Sequence, residues 1–182
     1  MKITRKTLRK IILTEIFEKG AEHYAFTLSK HIIDNYRPLI FEYEFTTDDN
    51  LDYVLTIMLP MVGLNDPGLK DRIHTFSWQI EFDVDDMYAG SYELTGSYDL
   101  KVLNTVIQIV KDFVTNIRPG LPTPVNQVNN FEASVAEEQD LTRGNRRDYR
   151  RARIYQYMMK KQGISAEISF DSADDMIIKF QI

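Results

Sequence analysis

Residues 75–84 read Thr-Phe-Ser-Trp-Gln-Ile-Glu-Phe-Asp-Val, and this stretch decides the class of fold. Apolar side chains occupy every second position: Phe76, Trp78, Ile80, Phe82 and Val84. Because successive side chains of a β-strand point to opposite faces of a sheet, this strand has one apolar and one polar face. The aromatic face predicts a strand that covers a hydrophobic core.

A pair of strands is predicted just before this one. Residues 41–45 alternate aromatic with acidic side chains, and residues 53–59 are apolar at alternate positions. The Asp-Asp-Asn sequence at 48–50 between them is typical of a turn. The two segments therefore predict an antiparallel hairpin.

Two helices are predicted upstream of the hairpin. Apolar side chains at helical spacing predict a helix over residues 4–19, which Gly20 would end. Residues 27–36 are predicted as a second, short helix that ends before Pro38. The apolar run of the first helix is too short for a signal peptide, and no run of ~18 apolar residues suggests a membrane span. The expected location is therefore the cytoplasm.

Helices and strands alternate after residue 84. A helix is predicted over residues 99–116, where apolar side chains recur every three or four positions. A short strand is predicted at 131–135 and a basic helix at 145–162. Residues 164–170 and 176–182 alternate apolar with polar side chains and predict a closing antiparallel hairpin.

These elements predict the class of fold. The chain has 182 residues, of which 43% are hydrophobic and 27% charged, and these are the proportions of one globular domain. We expect a single domain, residues 1–182, of the α+β class. Its centre would be a mostly antiparallel sheet of six or seven strands flanked by helices.

The composition excludes several kinds of chemistry. The sequence contains no cysteine, which rules out disulfide scaffolds, thiolate metal sites and cysteine nucleophiles. The three histidines are scattered, and the sequence lacks phosphate-loop, nucleophile-elbow and zinc-protease motifs. No metal site is predicted.

The order of the predicted elements resembles the GNAT superfamily of N-acetyltransferases. Domains of that superfamily follow a first strand with two helices, a three-stranded antiparallel meander, a helix, a strand, a helix and a closing hairpin. In the family, the loop after the meander carries a Gln/Arg-x-x-Gly-x-Gly/Ala pattern whose backbone amides hold the pyrophosphate of acetyl-CoA. The matching stretch here is Glu93–Tyr98, in which Gly96 fits the pattern.

The resemblance implies GNAT-like topology and an acyl-CoA-dependent N-acyltransferase. The cofactor would be acetyl-CoA or another acyl-CoA, bound by Gly96, Ser97 and Tyr98 with a further phosphate contact from Arg150. The acceptor would be an amine of a small molecule or a protein. The alternative for Gly96 is an ordinary turn before a helix.

The resemblance also implies an acid and a base. Tyr155 would donate a proton to the leaving thiolate, and Glu81 or Asp83 would take a proton from the amine. Each residue has a structural alternative. Tyr155 could be an aromatic residue of the helix core, and Glu81 and Asp83 could belong to a solvated strand face.

Basic residues are concentrated in one segment of the chain. It holds six of the 11 arginines: Arg143, Arg146, Arg147, Arg150, Arg151 and Arg153. The net charge from Arg143 to Lys161 is +7, so the remaining residues carry −12 of the total of −5. Three interpretations stay open, namely pairing with acidic loops of the same chain, binding of phosphate in CoA or a nucleic acid, and an acidic partner protein.

A second resemblance is to small proteins of tailed bacteriophages. It is carried by Thr95-Gly96 ahead of residues 102–113, by Phe-Glu-Ala at 131–133 and by the arginine-rich helix. It implies a viral protein that acts in the host cytoplasm. Because fold does not determine function, the alternative to an enzyme is a catalytically inactive GNAT-fold protein. Such a protein would bind a host protein or a nucleic acid through helix 145–162.

Overall fold

The alternating strands assemble into one seven-stranded sheet. The computed structural model describes residues 22–34, 38–60, 69–84, 100–134, 150–170 and 176–182. The strands are β1 (Phe26–Ile32), β2 (Leu39–Thr46), β3 (Asp52–Leu59), β4 (Trp78–Val84), β5 (Asn130–Ser134), β6 (Ser165–Phe170) and β7 (Met176–Gln181). The helices are the single turn α1 (Leu69–Arg72), α2 (Leu100–Asp112) and α3 (Arg150–Lys161).

The sheet is mixed, whereas the sequence predicted a mostly antiparallel one. Its strand order is β1-β2-β3-β4-β5-β7-β6, and β4 and β5 run parallel to each other while the other neighbours are antiparallel. Two neighbouring strands run parallel when a long connection returns the chain to the end of the sheet at which the first strand began. Here α2 lies within that connection. The α+β class and the predicted number of strands are confirmed.

The first strand corrects a prediction. The helix predicted over residues 27–36 is wrong, because Phe26–Ile32 is β1 and pairs antiparallel with β2. β1 lies at the edge of the sheet, and its residues 27–31 are exposed. An edge strand with solvent on both faces needs no alternation of apolar and polar side chains, so its sequence gives no signal of period two. The predicted helix over residues 4–19 lies outside the described residues.

The other predicted elements occur close to their expected bounds. The helix predicted over 99–116 is α2, which continues as a π-helical turn at Phe113–Ile117. Short 3-10 turns at 118–120 and 125–127 lead on to β5. The predicted basic helix is described from Arg150 onward, as α3.

The hydrophobic core lies on one face of the sheet, under α2 and α3. The apolar residues of β2, β3, β4, β5 and β7 join those of both helices in one buried cluster. Trp78, Phe113 and Phe131 are completely buried. We call the opposite side of β4, β5, β7 and β6 the polar face, because Gln79, Glu81, Glu132, Lys179 and Glu167 alternate there with core residues.

Phe113 stands at the centre of the aromatic part of this core. Its ring centroid lies 4.8 Å from that of Trp78, 5.1 Å from that of Phe41 and 6.4 Å from that of Phe131, each in an edge-to-face arrangement. Such contacts add to the stabilisation that burial of an aromatic ring provides. The ring therefore joins β2, β4 and β5 to the end of α2.

A buried tyrosine adds one polar contact to this region. The Tyr43 hydroxyl donates to Asp112 Oδ2 over 3.4 Å, and Asp112 Oδ1 accepts from Asn116. Burial, followed by the negative charge of Asp112, raises the pKa of Tyr43 well above its usual range. Tyr43 therefore stays a neutral donor at physiological pH.

We predict that replacing the central ring will strongly destabilise the protein. Phe113→Ala should lower the free energy of unfolding by about 3–5 kcal/mol in urea titrations, because it leaves a cavity among three other rings. Ile33→Ala is the control, since Ile33 is 48% exposed, and it should cost about 0.5 kcal/mol or less. Equal losses for the two variants would contradict the central position of Phe113.

Candidate functional site

Within the described residues, the two parallel strands pair over only part of the length of β4. β4 and β5 pair through three residue pairs, the last of which is Ile80 with Ala133. β4 then continues to Val84 and pairs with β3 alone. Among the residues that the structure describes, the backbone of β4 from Glu81 onward therefore has no strand on its β5 side. We call this region the β4–β5 gap.

Both long helices begin at the end of the sheet where this gap lies. Lys101, in the first turn of α2, contacts Asp48 of the β2–β3 turn with an Nζ–Oδ2 distance of 3.0 Å. The first residues of β3 follow that turn, and Tyr53 pairs with Val84, the last residue of β4. The start of α2 is therefore near the carboxyl end of β4. α3 ends just before β6, which begins at the end of the sheet opposite to the gap. The first turn of α3 is therefore directed toward the end where the gap lies. Helix N-termini carry a partial positive charge that favours anions.

The predicted base and acid lie on different faces of the sheet. Glu81 is exposed on the polar face, opposite Thr56 of β3. Asp83 lies two residues further along β4, and its side chain is outside the described part of the structure. Tyr155 of α3 is half-buried and packs against the core. The structure therefore does not bring Glu81 and Tyr155 together across a single face.

Several predicted cofactor and partner residues lie outside the described residues. These are Gly96, Ser97, Tyr98, Arg143, Arg146 and Arg147. Arg150 and Arg151 form the first turn of α3, and their side chains are not among those described. Arg153 is exposed. The prediction that the arginines lie on a helix is thus confirmed for Arg150, Arg151 and Arg153.

An exposed strip on α3 combines cations with an aromatic ring. Arg153, Tyr157 and Lys161 recur every four residues and are all exposed, as is Lys160. The Lys161 ammonium lies 5.7 Å from the centre of the Tyr157 ring. Residues four apart share one helix face, so we call Arg153, Tyr157 and Lys161 the α3 strip.

A polar network fixes the C-terminal end of α3 to α2. Gln162 Oε1 accepts from Lys111 Nζ over 2.6 Å and from Gln108 Nε2 over 3.0 Å. Gln162 Nε2 donates to Asn104, which is buried, and Asn104 Nδ2 donates to the backbone oxygen of Glu22 over 2.8 Å. These bonds set the position of α3, and hence of its first turn beside the β4–β5 gap.

The polar face carries a groove that the sequence did not predict. Its volume is about 540 Å³. The groove lies at the end of β4 opposite to the gap, and its lining includes His74, Ser77, Asn130, Glu132, Glu167, Lys179 and Gln181. The sequence shows polar positions on β5, β6 and β7 and in the segment before β4, but only the strand order shows that they adjoin.

Hydrogen bonds organise the floor of the groove. Glu132 Oε1 accepts from Ser77 Oγ over 3.1 Å and lies 3.3 Å from Lys179 Nζ. Asn130 Oδ1 accepts from Gln181 Nε2 over 2.7 Å. The Asn130 side chain also donates to two backbone oxygens, those of residues 74 and 76. The side chains therefore have defined orientations before any ligand binds.

Comparisons with known proteins do not assign this site. No protein-family model matches the chain, and neither the curated proteins nor the solved structures contain a match. In the described part of the chain, no group of three or more His, Asp or Glu side chains could hold a metal ion. No helix within the described ranges is long and apolar enough to cross a membrane.

We predict that loss of the Gln162 side chain will loosen α3. Gln162→Ala leaves the buried Asn104 oxygen and Lys111 without their partner, which should cost about 1–3 kcal/mol of unfolding free energy. Amide hydrogens of α3 should also exchange faster. Gln127→Ala is the control because Gln127 is exposed. Unchanged exchange in α3 would show that the network does not hold the helix.

Proposed function

We propose that this protein is a diverged GNAT-like N-acyltransferase that uses an acyl-CoA. The observation that carries the proposal is the β4–β5 gap. The carboxyl end of a parallel strand whose described pairing stops before it is a natural position for a ligand. At this gap the backbone of β4 offers unpaired groups from Glu81 onward, within the described part of the sheet.

The order of the elements supports this proposal. An antiparallel meander of β2, β3 and β4 is followed by α2, β5, α3 and the closing hairpin of β6 and β7. This is the succession that the resemblance implies for the GNAT superfamily. Within the described residues the chain departs from it between β1 and β2, where residues 33–38 are too few for two helices.

The chemistry of acyl-CoA matches the groups around the gap. Its pantetheine arm is an extended chain with two amide groups, and an unpaired strand edge binds extended amides through backbone hydrogen bonds. Its phosphates are anions, and both long helices begin at this end of the sheet. In this proposal, Gly96, Ser97 and Tyr98 hold the pyrophosphate and Arg150 contacts a phosphate.

The reaction would take place where the gap connects the two faces of the sheet. The neutral amine nitrogen attacks the thioester carbonyl carbon, a C–N bond forms and the C–S bond breaks. Glu81, or Asp83, takes the proton that the amine loses, from the polar face. Tyr155 gives a proton to the departing thiolate, from the side of α3. A substrate in the gap can contact both faces, whereas one on either face alone cannot.

We predict that acetyl-CoA will stabilise the protein. At about 100 times the dissociation constant, the melting temperature should rise by roughly 5–10 °C in a thermal-shift experiment. S-acetyl-N-acetylcysteamine, which has the thioester but no phosphate, should raise it less. If millimolar acetyl-CoA leaves the melting temperature unchanged, the proposed enzyme is wrong.

The same experiment separates binding from catalysis. Glu81→Gln should retain the thermal shift and lower the rate of thiol release with primary amines by about 10²–10⁴-fold. Glu44→Gln is the matched control, since Glu44 is also exposed but lies on β2. Equal rates for the two variants would remove Glu81 as the base and leave Asp83.

The α3 strip favours a second candidate function. A tyrosine flanked by cations can stack on a base while the cations contact phosphates, which is how single-stranded nucleic acids are held without sequence preference. The exposure of Tyr157 and Arg153 supports this use of the helix. In this case the protein would be a catalytically inactive domain of the same fold, with a nucleic acid or an acidic host protein as its partner.

We predict the result that would identify this second function. Binding of a labelled single-stranded oligonucleotide should weaken steeply between low and moderate salt. The double variant Arg153→Glu/Tyr157→Ala should weaken it by at least about tenfold, since one stacked base contributes ~1–3 kcal/mol. Lys30→Glu on β1 is the control for a change of charge elsewhere. Equal binding by both variants would exclude the α3 strip, and an acidic protein would then be the partner to test.

A further inference from the structure

The groove on the polar face contains a row of alternating charges. Lys179 of β7 lies directly opposite Glu132 of β5 on one side and Glu167 of β6 on the other. Side chains opposite each other in neighbouring strands have Cβ atoms about 5 Å apart. The row is therefore negative, positive, negative across three strands. It lines the groove directly.

The charged groups of this row keep capacity for further hydrogen bonds and ion pairs. Lys179 and Glu132 form an ion pair, yet their side chains remain 45% and 28% exposed. Glu167 is exposed and has no ion-pair partner among the residues described by the structure. The ammonium of Lys179 can donate two further hydrogen bonds, and each carboxylate has oxygens left to accept.

The alternation selects among kinds of ligand. A simple cation drawn to the carboxylates would approach the Lys179 ammonium, and a simple anion drawn to Lys179 would approach Glu132 and Glu167. A ligand whose own positive and negative groups are adjacent can place its carboxylate on Lys179 and its ammonium on Glu167. Each charge of the ligand then faces an opposite charge of the protein, and both contacts are charge-assisted hydrogen bonds.

The rest of the groove offers neutral hydrogen-bonding groups. The Gln181 amide is oriented by its bond to Asn130, so its oxygen is left as an acceptor. Ser77 and Ser165 add hydroxyl groups at the same end. The two phenylalanines of the lining, Phe131 and Phe180, are buried and belong to the core. The lining therefore suits a polar side chain on the ligand and offers little to an apolar one.

We infer that the groove is a binding site for a polar α-amino acid in its zwitterionic form. The α-carboxylate binds Lys179, the α-ammonium binds Glu167, and the side chain reaches the amide of Gln181. The inference does not depend on acyl transfer, because the groove lies at the opposite end of β4 from the β4–β5 gap. Its volume is within the ordinary range for small-molecule sites.

The test uses three forms of one probe with the full chain and without acetyl-CoA. L-glutamine is the zwitterion, L-glutaminamide has the same side chain but only the ammonium, and N-acetyl-L-glutamine has only the carboxylate. Calorimetric or NMR titration should show binding of L-glutamine and affinities at least about tenfold lower for the other two, since each lacks one charge-assisted bond. Equal affinities for the three forms, or no binding of L-glutamine, would overturn the inference.

Variants locate the binding on the row. Lys179→Met and Glu167→Gln should each lower the affinity for L-glutamine by about tenfold or more. Glu167→Gln cannot be dismissed as a failure of folding, because Glu167 is exposed and in no ion pair within the described residues. Lys30→Met on β1 is the control and should bind L-glutamine like the wild type. Unchanged affinity in Glu167→Gln would place the ammonium elsewhere and refute the assignment.

Discussion

The structure depends on the parallel pairing of β4 with β5. The other neighbouring strands are antiparallel, and an antiparallel pair can be joined by a short turn. To pair parallel with β4, β5 must begin at the same end of the sheet as β4. Residues 85–129 connect the end of β4 to the start of β5. The connection places α2 on the core face. Among the described residues only three residue pairs join the two strands, the last of them Ile80 with Ala133, so the two ends of β4 have different neighbours.

The aromatic core secures this short pairing. Trp78 of β4 and Phe131 of β5 are opposite each other in the first of the three pairs, and both rings contact Phe113. The π-helical turn that begins at Phe113 widens the end of α2 at the place where this ring enters the core. The packing around Phe113 therefore lies where the two strands are paired.

Much of the fold could be predicted from the sequence because a buried face requires apolar residues at regular spacing along a strand or helix. β2, β4 and the closing hairpin alternate core residues with mostly polar ones, β3 has an apolar residue at every second position, and α2 repeats apolar residues every three or four positions. β1 could not be predicted in this way, since an edge strand whose side chains are exposed has no apolar face to repeat. The direction of β5 was also beyond the pattern, because a strand has the same alternation whichever way it runs.

The same distinction applies to the candidate sites, since a residue on one strand could be predicted whereas a cluster of residues from several strands could not. Glu81 was predicted because it lies on the polar face of a strand whose other face is aromatic. The contacts of Glu132 come from Ser77, just before β4, and from Lys179 of β7, and only the strand order brings them together.

The two ends of β4 also differ in how they would tolerate a change of sequence. At the gap, the groups available to a ligand are backbone amides, carbonyls and helix ends, which any sequence with this fold supplies. The proposed cofactor would need few particular side chains there, so a loop that matches the expected pattern only at Gly96 does not contradict the proposal. In the groove, recognition comes from the identities of Glu132, Lys179 and Glu167, and one substitution alters the charge pattern. Specificity should therefore be more closely tied to sequence in the groove than at the gap.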